Sequence, residues 1–126
     1  ETARGILARG FEVGQMMKVV GEEGTSIEDF VFYLKAEYLD AAYLQQDAYD
    51  AVDGATPAGR QRHMFDCLNT ILRARLEFKD KAGARKFFQT LTQVTKDWNR
   101  MPMDAAEFKA TEQRIVQMLS EVTFHA

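Results

Sequence analysis

Cysteine is nearly absent from this sequence: Cys67 stands alone in 126 residues. A disulfide framework and a cysteine-based zinc site are therefore excluded. Histidine is almost as scarce, and His63 and His125 with one thiol are too few for a transition-metal cage. Neither a Gly-x-x-x-x-Gly-Lys-Ser/Thr phosphate loop nor a Gly-x-Gly-x-x-Gly turn occurs, so these residues alone have no means of holding a triphosphate. No apolar run approaches the roughly 20 residues that a membrane-spanning helix needs, and the start carries no signal-peptide pattern. Positive charge is not in excess: 16 Lys and Arg against 19 Asp and Glu give a net charge of -3. Nucleic acid and anionic lipid are not attracted by such a balance. Proline occurs only at Pro57 and Pro102, both at segment boundaries.

What remains is the composition of a soluble, intracellular globular chain, with 46% hydrophobic and 28% charged residues. Its length suits one domain with one ordinary core. The first residue is Glu1 rather than Met, and helical periodicity starts at once. The expectation is a single helical domain over residues 1–126 that is a fragment of a longer polypeptide.

Strong helix formers dominate and no sustained two-residue alternation appears, which predicts an all-α fold, a compact bundle of about five helices. The first helix is expected over about Thr2 to Val20, with Ile6, Val13, Met16, Met17 and Val20 at helical spacing. Each interior glycine, at Gly5, Gly10 and Gly14, costs roughly 1 kcal/mol against alanine, so this helix should lie close against other backbone. Gly21-Glu22-Glu23-Gly24 breaks it, and Thr25 or Ser26 offers an N-cap for a second helix over Ile27 to Gln46. Ile27, Phe30, Val31, Leu34, Tyr38 and Ala41 make its apolar stripe. Asp53-Gly54 signals a turn, and Thr56-Pro57 starts a third helix that carries Met64, Phe65, Leu68, Ile71, Leu72 and Leu76 inward. A break near Lys79 to Gly83 precedes a fourth helix with Phe87, Phe88, Leu91, Val94 and Trp98 on one face. Met101-Pro102 stops that helix, and Asp104 is the expected cap of a fifth, with Phe108, Ile115, Met118, Leu119 and Val122 inside.

Few of these residues suggest chemistry. Glu22, Glu23, Glu28 and Asp29 crowd one loop and the helix start behind it. They suit either a solvated helix N-terminus or a contact surface for a basic partner, and nothing apolar surrounds them to raise a catalytic pKa. The basic residues from Arg60 to Lys86 are interleaved with acidic and core positions, as on a solvated face. His63 has no serine or cysteine nucleophile suitably placed beside it, and Cys67 and Trp98 read as core. No catalytic residue and no metal ligand is expected.

The remaining feature is Tyr43-Leu44-Gln45-Gln46-Asp47-Ala48-Tyr49-Asp50-Ala51-Val52-Asp53, which sets two aromatic rings around a polar stretch where a helix runs out. Tyrosines at a helix end serve either as core-edge residues with wet hydroxyls or as flat surfaces for a flat partner. This stretch resembles the aromatic-Leu-Gln-Gln-Asn-Ala-Phe-Asp-x-Val-Asp motif of the catalytic A subunit, or alpha chain, of V-type and archaeal-type rotary ATPases. Upstream, Ile6-Leu7 through Glu12 to Val19-Val20-Gly21 is similar to that family's helix ending in a Leu-Val-Gly break. Downstream, Gln61, Met64 and Ile71-Leu72 fall where the family has its Lys-Gln-x-x-Met-Leu-x-x-Ile-Leu helix. The likeness is good from Ile6 to Leu76 and looser beyond. Tyrosines stand for the usual phenylalanines, Asp47 for the usual Asn and Ala51 for a frequent proline.

The resemblance implies the C-terminal helical domain of that subunit, with the P-loop, the catalytic base and the magnesium ligands in a preceding domain. Tyr43 and Tyr49, with Gln46 beside them, would form one wall of the adenine pocket. The turn of Gly21, Glu22, Glu23, Gly24, Thr25 and Ser26 would meet the central rotor stalk. ATP or ADP with Mg would bind the full-length subunit, and none would bind tightly to this stretch alone. The implied partners are the non-catalytic B subunit of the hexameric ring and the stalk, with no nucleic acid and no membrane insertion. The implied location is cytoplasmic, peripheral to the membrane, with proton or sodium transport coupled through rotation. The alternative is a free-standing helical interaction module with no nucleotide role.

Overall fold

A computed structural model describes residues 3–44, 58–102 and 105–123. Five α-helices make up most of these: α1 (Ala3–Val20), α2 (Ile27–Leu39), α3 (Ala58–Arg73), α4 (Lys81–Asn99) and α5 (Ala106–Val122). Among the described residues there is no strand, only an isolated antiparallel bridge between Leu76 and Thr123, closed by Glu77 N–H donating to Val122 O at 2.8 Å. The all-α expectation therefore holds. Asp53-Gly54, the Thr56-Pro57 start and the Asp104 cap lie outside the described residues.

Local chemistry explains most helix ends. Ser26 Oγ accepts from Asp29 N–H at 3.1 Å and so caps α2, as its spacing predicts. α4 begins at Lys81 because Asp80 is a true N-cap, accepting from Gly83 N–H at 2.7 Å. Gly83 thus sits inside the first turn instead of marking a break, a correction the sequence could have supplied from Asp80 itself. α5 follows Ala105, which is extended and provides no side-chain cap. The α-helical part of α2 ends at Leu39, short of the expected Gln46, and a π-helical turn continues it through Asp40–Leu44.

α3 ends at Arg73, so Leu76 is not on that helix. The cause is Lys35. Its ammonium donates to Leu72 O and to Ala74 O, each at 2.8 Å. In a continuing helix those carbonyls would accept from N–H groups four residues further on. A cation at this end also suits the negative pole of the helix dipole.

Packing follows the expected stripes on α2, α3 and α4. Tyr38, Leu39, Leu68, Ile71, Leu72, Leu91, Trp98 and Ile115 are exposed by 2% or less and belong to one cluster. Each such side chain contributes about 1.5–3 kcal/mol relative to leaving it in water. The one hydroxyl among them is satisfied, with Tyr38 OH and Thr95 Oγ1 2.9 Å apart. Helix α1 differs. It packs chiefly on α2, turning Ile6 and Val13 inward, while Met16 and Val20 point to solvent against expectation. Met16 lies one step round the helix from Val13 and, with a partner on one side only, has nothing to pack on, whereas Val20 continues the row of Ile6 and Val13 as the last residue of α1.

Candidate functional site

The site residues named from sequence that the structure describes fall at the two ends of α2. At the first end, α1 stops where Gly21 adopts φ 79°, a conformation that glycine takes without penalty. A 3-10 turn over Glu22–Gly24 follows, held by Gly24 N–H to Gly21 O at 3.2 Å and Thr25 N–H to Glu22 O at 3.0 Å. Thr25 is buried, and its hydroxyl donates to Gly21 O at 3.1 Å, fastening the turn from inside. Gly21, Glu22, Glu23, Gly24 and Ser26 are exposed. Five of the six residues named for a stalk contact thus face outward, and Thr25 is what shapes them.

This turn is clamped to the start of α4. The Glu22 carboxylate pairs with the Arg85 guanidinium, which also lies 5.2 Å from the Phe30 ring centre. Lys81 Nζ donates to Glu22 O at 2.6 Å. Just behind the turn, Arg9 pairs with Asp29 at 2.7 Å and joins α1 to α2. Of the crowded carboxylates, Glu22 and Asp29 are thus engaged in ion pairs. Glu23 and Glu28 stand exposed.

About 20 Å away, the length of the 13-residue α2 at 1.5 Å per residue, lies the second end. Asp40 N–H is shared between Ala36 O and Glu37 O, and from there the chain widens into the π turn. Single π turns inside helices occur often at functional sites. Asn99 Nδ2, at the end of α4, donates to Ala42 O at 2.8 Å and holds this turn. The Tyr43 backbone belongs to it, but its side chain, Gln46 and Tyr49 lie outside the described residues. The two ends are therefore braced by the same helix, Glu22 by Arg85 and Ala42 by Asn99.

Between α2 and α4 runs an open cleft of about 660 Å³. Phe30, Leu34, Tyr38 and Phe88 line it together with Glu22, Glu37, Asp40 and Arg85. Three carboxylates against one guanidinium repel phosphates, so the cleft is no seat for a nucleotide tail. Among the described residues, no group of three or more His, Cys, Asp or Glu is placed to hold a metal ion. His63 joins α3 to α5 by a 2.7 Å contact with Glu112, and its ring lies 6.2 Å from those of Trp98 and Phe108. That is a structural role.

The model of the family described as the C-terminal domain of V and A type ATP synthase matches residues 1–87. The chain belongs to that family. The match takes in α1, both ends of α2, α3 and the first turns of α4. V-type ATP synthase alpha chains carry the similarity further. That of Borrelia garinii subsp. bavariensis is 46% identical over 120 residues, 95% of this chain and 21% of the relative. That of Treponema denticola is 48% identical over 118 residues, 94% and 20%. That of Borrelia turicatae is 47% identical over 117 residues, 93% and 20%. The likeness thus continues past Leu76 into α4 and α5, where the motifs alone are loose. The chain spans about a fifth of the length of these relatives. No solved structure matches it.

Lys35 is the member of this V/A-type domain that sequence reasoning missed. The signal was there: Lys35 lies four residues after Val31 and four before Leu39, on an apolar row of α2. Burial pulls its pKa from the ordinary 10.5 down to about 8. Between these values the unfolded chain binds more protons than the native one, so this group makes stability rise with pH from about 8 to 10.5. Cys67 opposes it from the ordinary 9.0 upward, because burial raises that thiol to about 11. Urea melts at pH 7 and 9.5 on wild type and Lys35→Met separate the two. The gain of wild type over the variant is expected to grow with pH, and a constant difference would disprove the assignment.

Proposed function

We propose that this chain is the C-terminal helical domain of the catalytic alpha chain of a V-type ATP synthase or ATPase. The observation that carries the proposal is the family match over residues 1–87, extended by relatives of that name over 93–95% of the chain. In this reading the polypeptide continues before Glu1 into a domain that holds the phosphates and magnesium of ATP or ADP. The residues here fit that division of labour, since the acidic cleft between α2 and α4 disfavours phosphate.

Tyr43 and Tyr49, with Gln46 beside them, form one wall of the adenine pocket. Their ring faces suit base stacking, and the Tyr43 backbone belongs to the π turn at the end of α2. The Gly21–Ser26 turn meets the central stalk, presenting Glu23 while Glu22 stays tied to Arg85. Helix α2 joins the two, and α4 braces both of its ends, so a displacement at the adenine end is transmitted rather than absorbed. The domain then works as a lever between nucleotide state and rotation of the stalk, coupled to proton or sodium transport. It assembles with the non-catalytic B subunits in the cytoplasmic head, peripheral to the membrane. Among the described residues no helix is long and apolar enough to cross one.

The test is Tyr43→Ala and Tyr49→Ala in the assembled enzyme. Each is expected to weaken nucleotide binding by about 1–3 kcal/mol, the usual scale for one base–aromatic stack, or roughly 5- to 150-fold in Kd. Unchanged affinity in both variants removes the adenine wall and leaves the tyrosines as packing residues.

A further inference from the structure

Lys81 stands where local chemistry disfavours it. It is the first residue of α4, beside the positive pole of the helix dipole, a poor place for a cation. A residue that breaks a local rule commonly answers to a site elsewhere in the fold. Four residues on, Arg85 shares its face of α4, and both side chains reach Glu22. Lys81 Nζ takes the main chain, donating to Glu22 O at 2.6 Å. The Arg85 guanidinium takes the carboxylate and is seated by the buried ring of Phe30, 5.2 Å away. Glu22 O also accepts Thr25 N–H at 3.0 Å, so the grip acts on the 3-10 turn itself rather than on a loose side chain.

We propose that Lys81 and Arg85 are positioning residues for energy coupling, holding the Gly21–Ser26 turn against load from the stalk. This role rests on the reading of that turn as the stalk contact, and goes beyond it by separating coupling from hydrolysis. The grip adds little to the resting fold. Arg85 and Glu22 are 40% and 44% exposed, and an ion pair so exposed contributes little to stability. What it changes is compliance. α1 and α2 pack on each other, but the joint between them is a short turn whose residues, Thr25 apart, are exposed. Released from α4, that turn bends under load, and α2 moves without moving the rotor. Held at both main chain and side chain from one helix, it cannot swing about a single contact.

The test uses the assembled enzyme in sealed vesicles, with ATP hydrolysis and ion transport measured on one sample. Arg85→Met is expected to hydrolyse ATP near the wild-type rate and to keep the wild-type melting temperature. Ions moved per ATP are expected to fall by about threefold or more. The exchange Glu22→Arg with Arg85→Glu remakes the pair in the opposite sense and is expected to recover most of the lost ratio. Hydrolysis and transport that fall together, at an unchanged ratio, overturn the proposal by making Arg85 a merely structural residue. So does an exchange variant no better coupled than Arg85→Met. Glu23→Lys separates this role from the reading beneath it. A ratio lowered there but not in Arg85→Met overturns the grip and leaves the stalk contact standing. Wild-type ratios in both variants overturn the two together.

Discussion

Trp98→Ala is expected to lower the unfolding free energy by about 3–5 kcal/mol, the range for emptying a large aromatic site in a packed core. Trp98 is wholly buried, and its ring centre lies 5.1 Å from that of Phe108 on α5. His63 of α3 approaches it at 6.2 Å. Three helices therefore lose their common contact at once, and none can collapse into the space without leaving another partner. For a domain of this size each kcal/mol shifts Tm by roughly 3–5 °C, so the melting point should fall by about 9–25 °C. Trp98→Phe should lose much less. Among the described residues, Trp98 Nε1 is a buried donor with no hydrogen-bond partner, and phenylalanine removes that donor while keeping most of the ring. Thermal melts followed by circular dichroism decide the matter. Equal losses for the two variants would mean that the indole nitrogen and the extra ring volume matter more than the shared contacts.

The stability of this core was legible in the sequence because its residues repeat at helical spacing. Phe88, Leu91, Val94 and Trp98 announce the inner face of α4, and Phe30, Val31, Leu34 and Tyr38 that of α2. Where the sequence misled, one polar group had a tertiary job. Lys35, whose place on an apolar row signals burial but not a partner, reaches across to end α3, and Leu76 leaves the helix as a result. No local rule predicts that, since the two carbonyls lie 37 and 39 residues away. Asp80 is the opposite case, a capping residue in plain view three residues before the glycine whose N–H it accepts from. The π turn at Asp40–Leu44 has no sequence signature, because its extra residue per turn is set by how the end of α2 meets Asn99. At the candidate site, spacing gave the turn and Ser26, but the tyrosine pair gained its meaning only from the family motif. Flat rings at a helix end are chemically ambiguous until the other walls of a pocket are known.

Gly10→Ala is expected to destabilise the domain, against helix propensity, which favours alanine by about 1 kcal/mol. A Cβ at Gly10 would stand 2.3 Å from Ala36 Cβ and 3.1 Å from Phe32 O. The first distance is impossible without moving α1 away from α2, and the cost of such overpacking is about 1–3 kcal/mol, more for a larger residue. Gly10→Val should therefore lose about 3 kcal/mol or more. Gly14 lies one turn further along the same helix, and a Cβ there would meet only the Tyr33 ring, at 3.2 Å. That half-buried ring can give way, so Gly14→Ala should be neutral or stabilising by up to about 1 kcal/mol. Opposite signs one turn apart are what a point of backbone contact produces, and not what a general loss of helix flexibility produces. The decisive variant is the exchange Gly10→Ala with Ala36→Gly, which moves the methyl group from one helix to the other. Urea unfolding of the single and double variants should show the double losing less than the sum of the two singles, by about 1 kcal/mol or more. Additive losses would place the strain at Phe32 O instead, and α1 would then be set against the α2 backbone rather than against Ala36. In the proposed lever this crossing fixes α2 to α1, so the double variant is also the one in which coupling between nucleotide and stalk should survive.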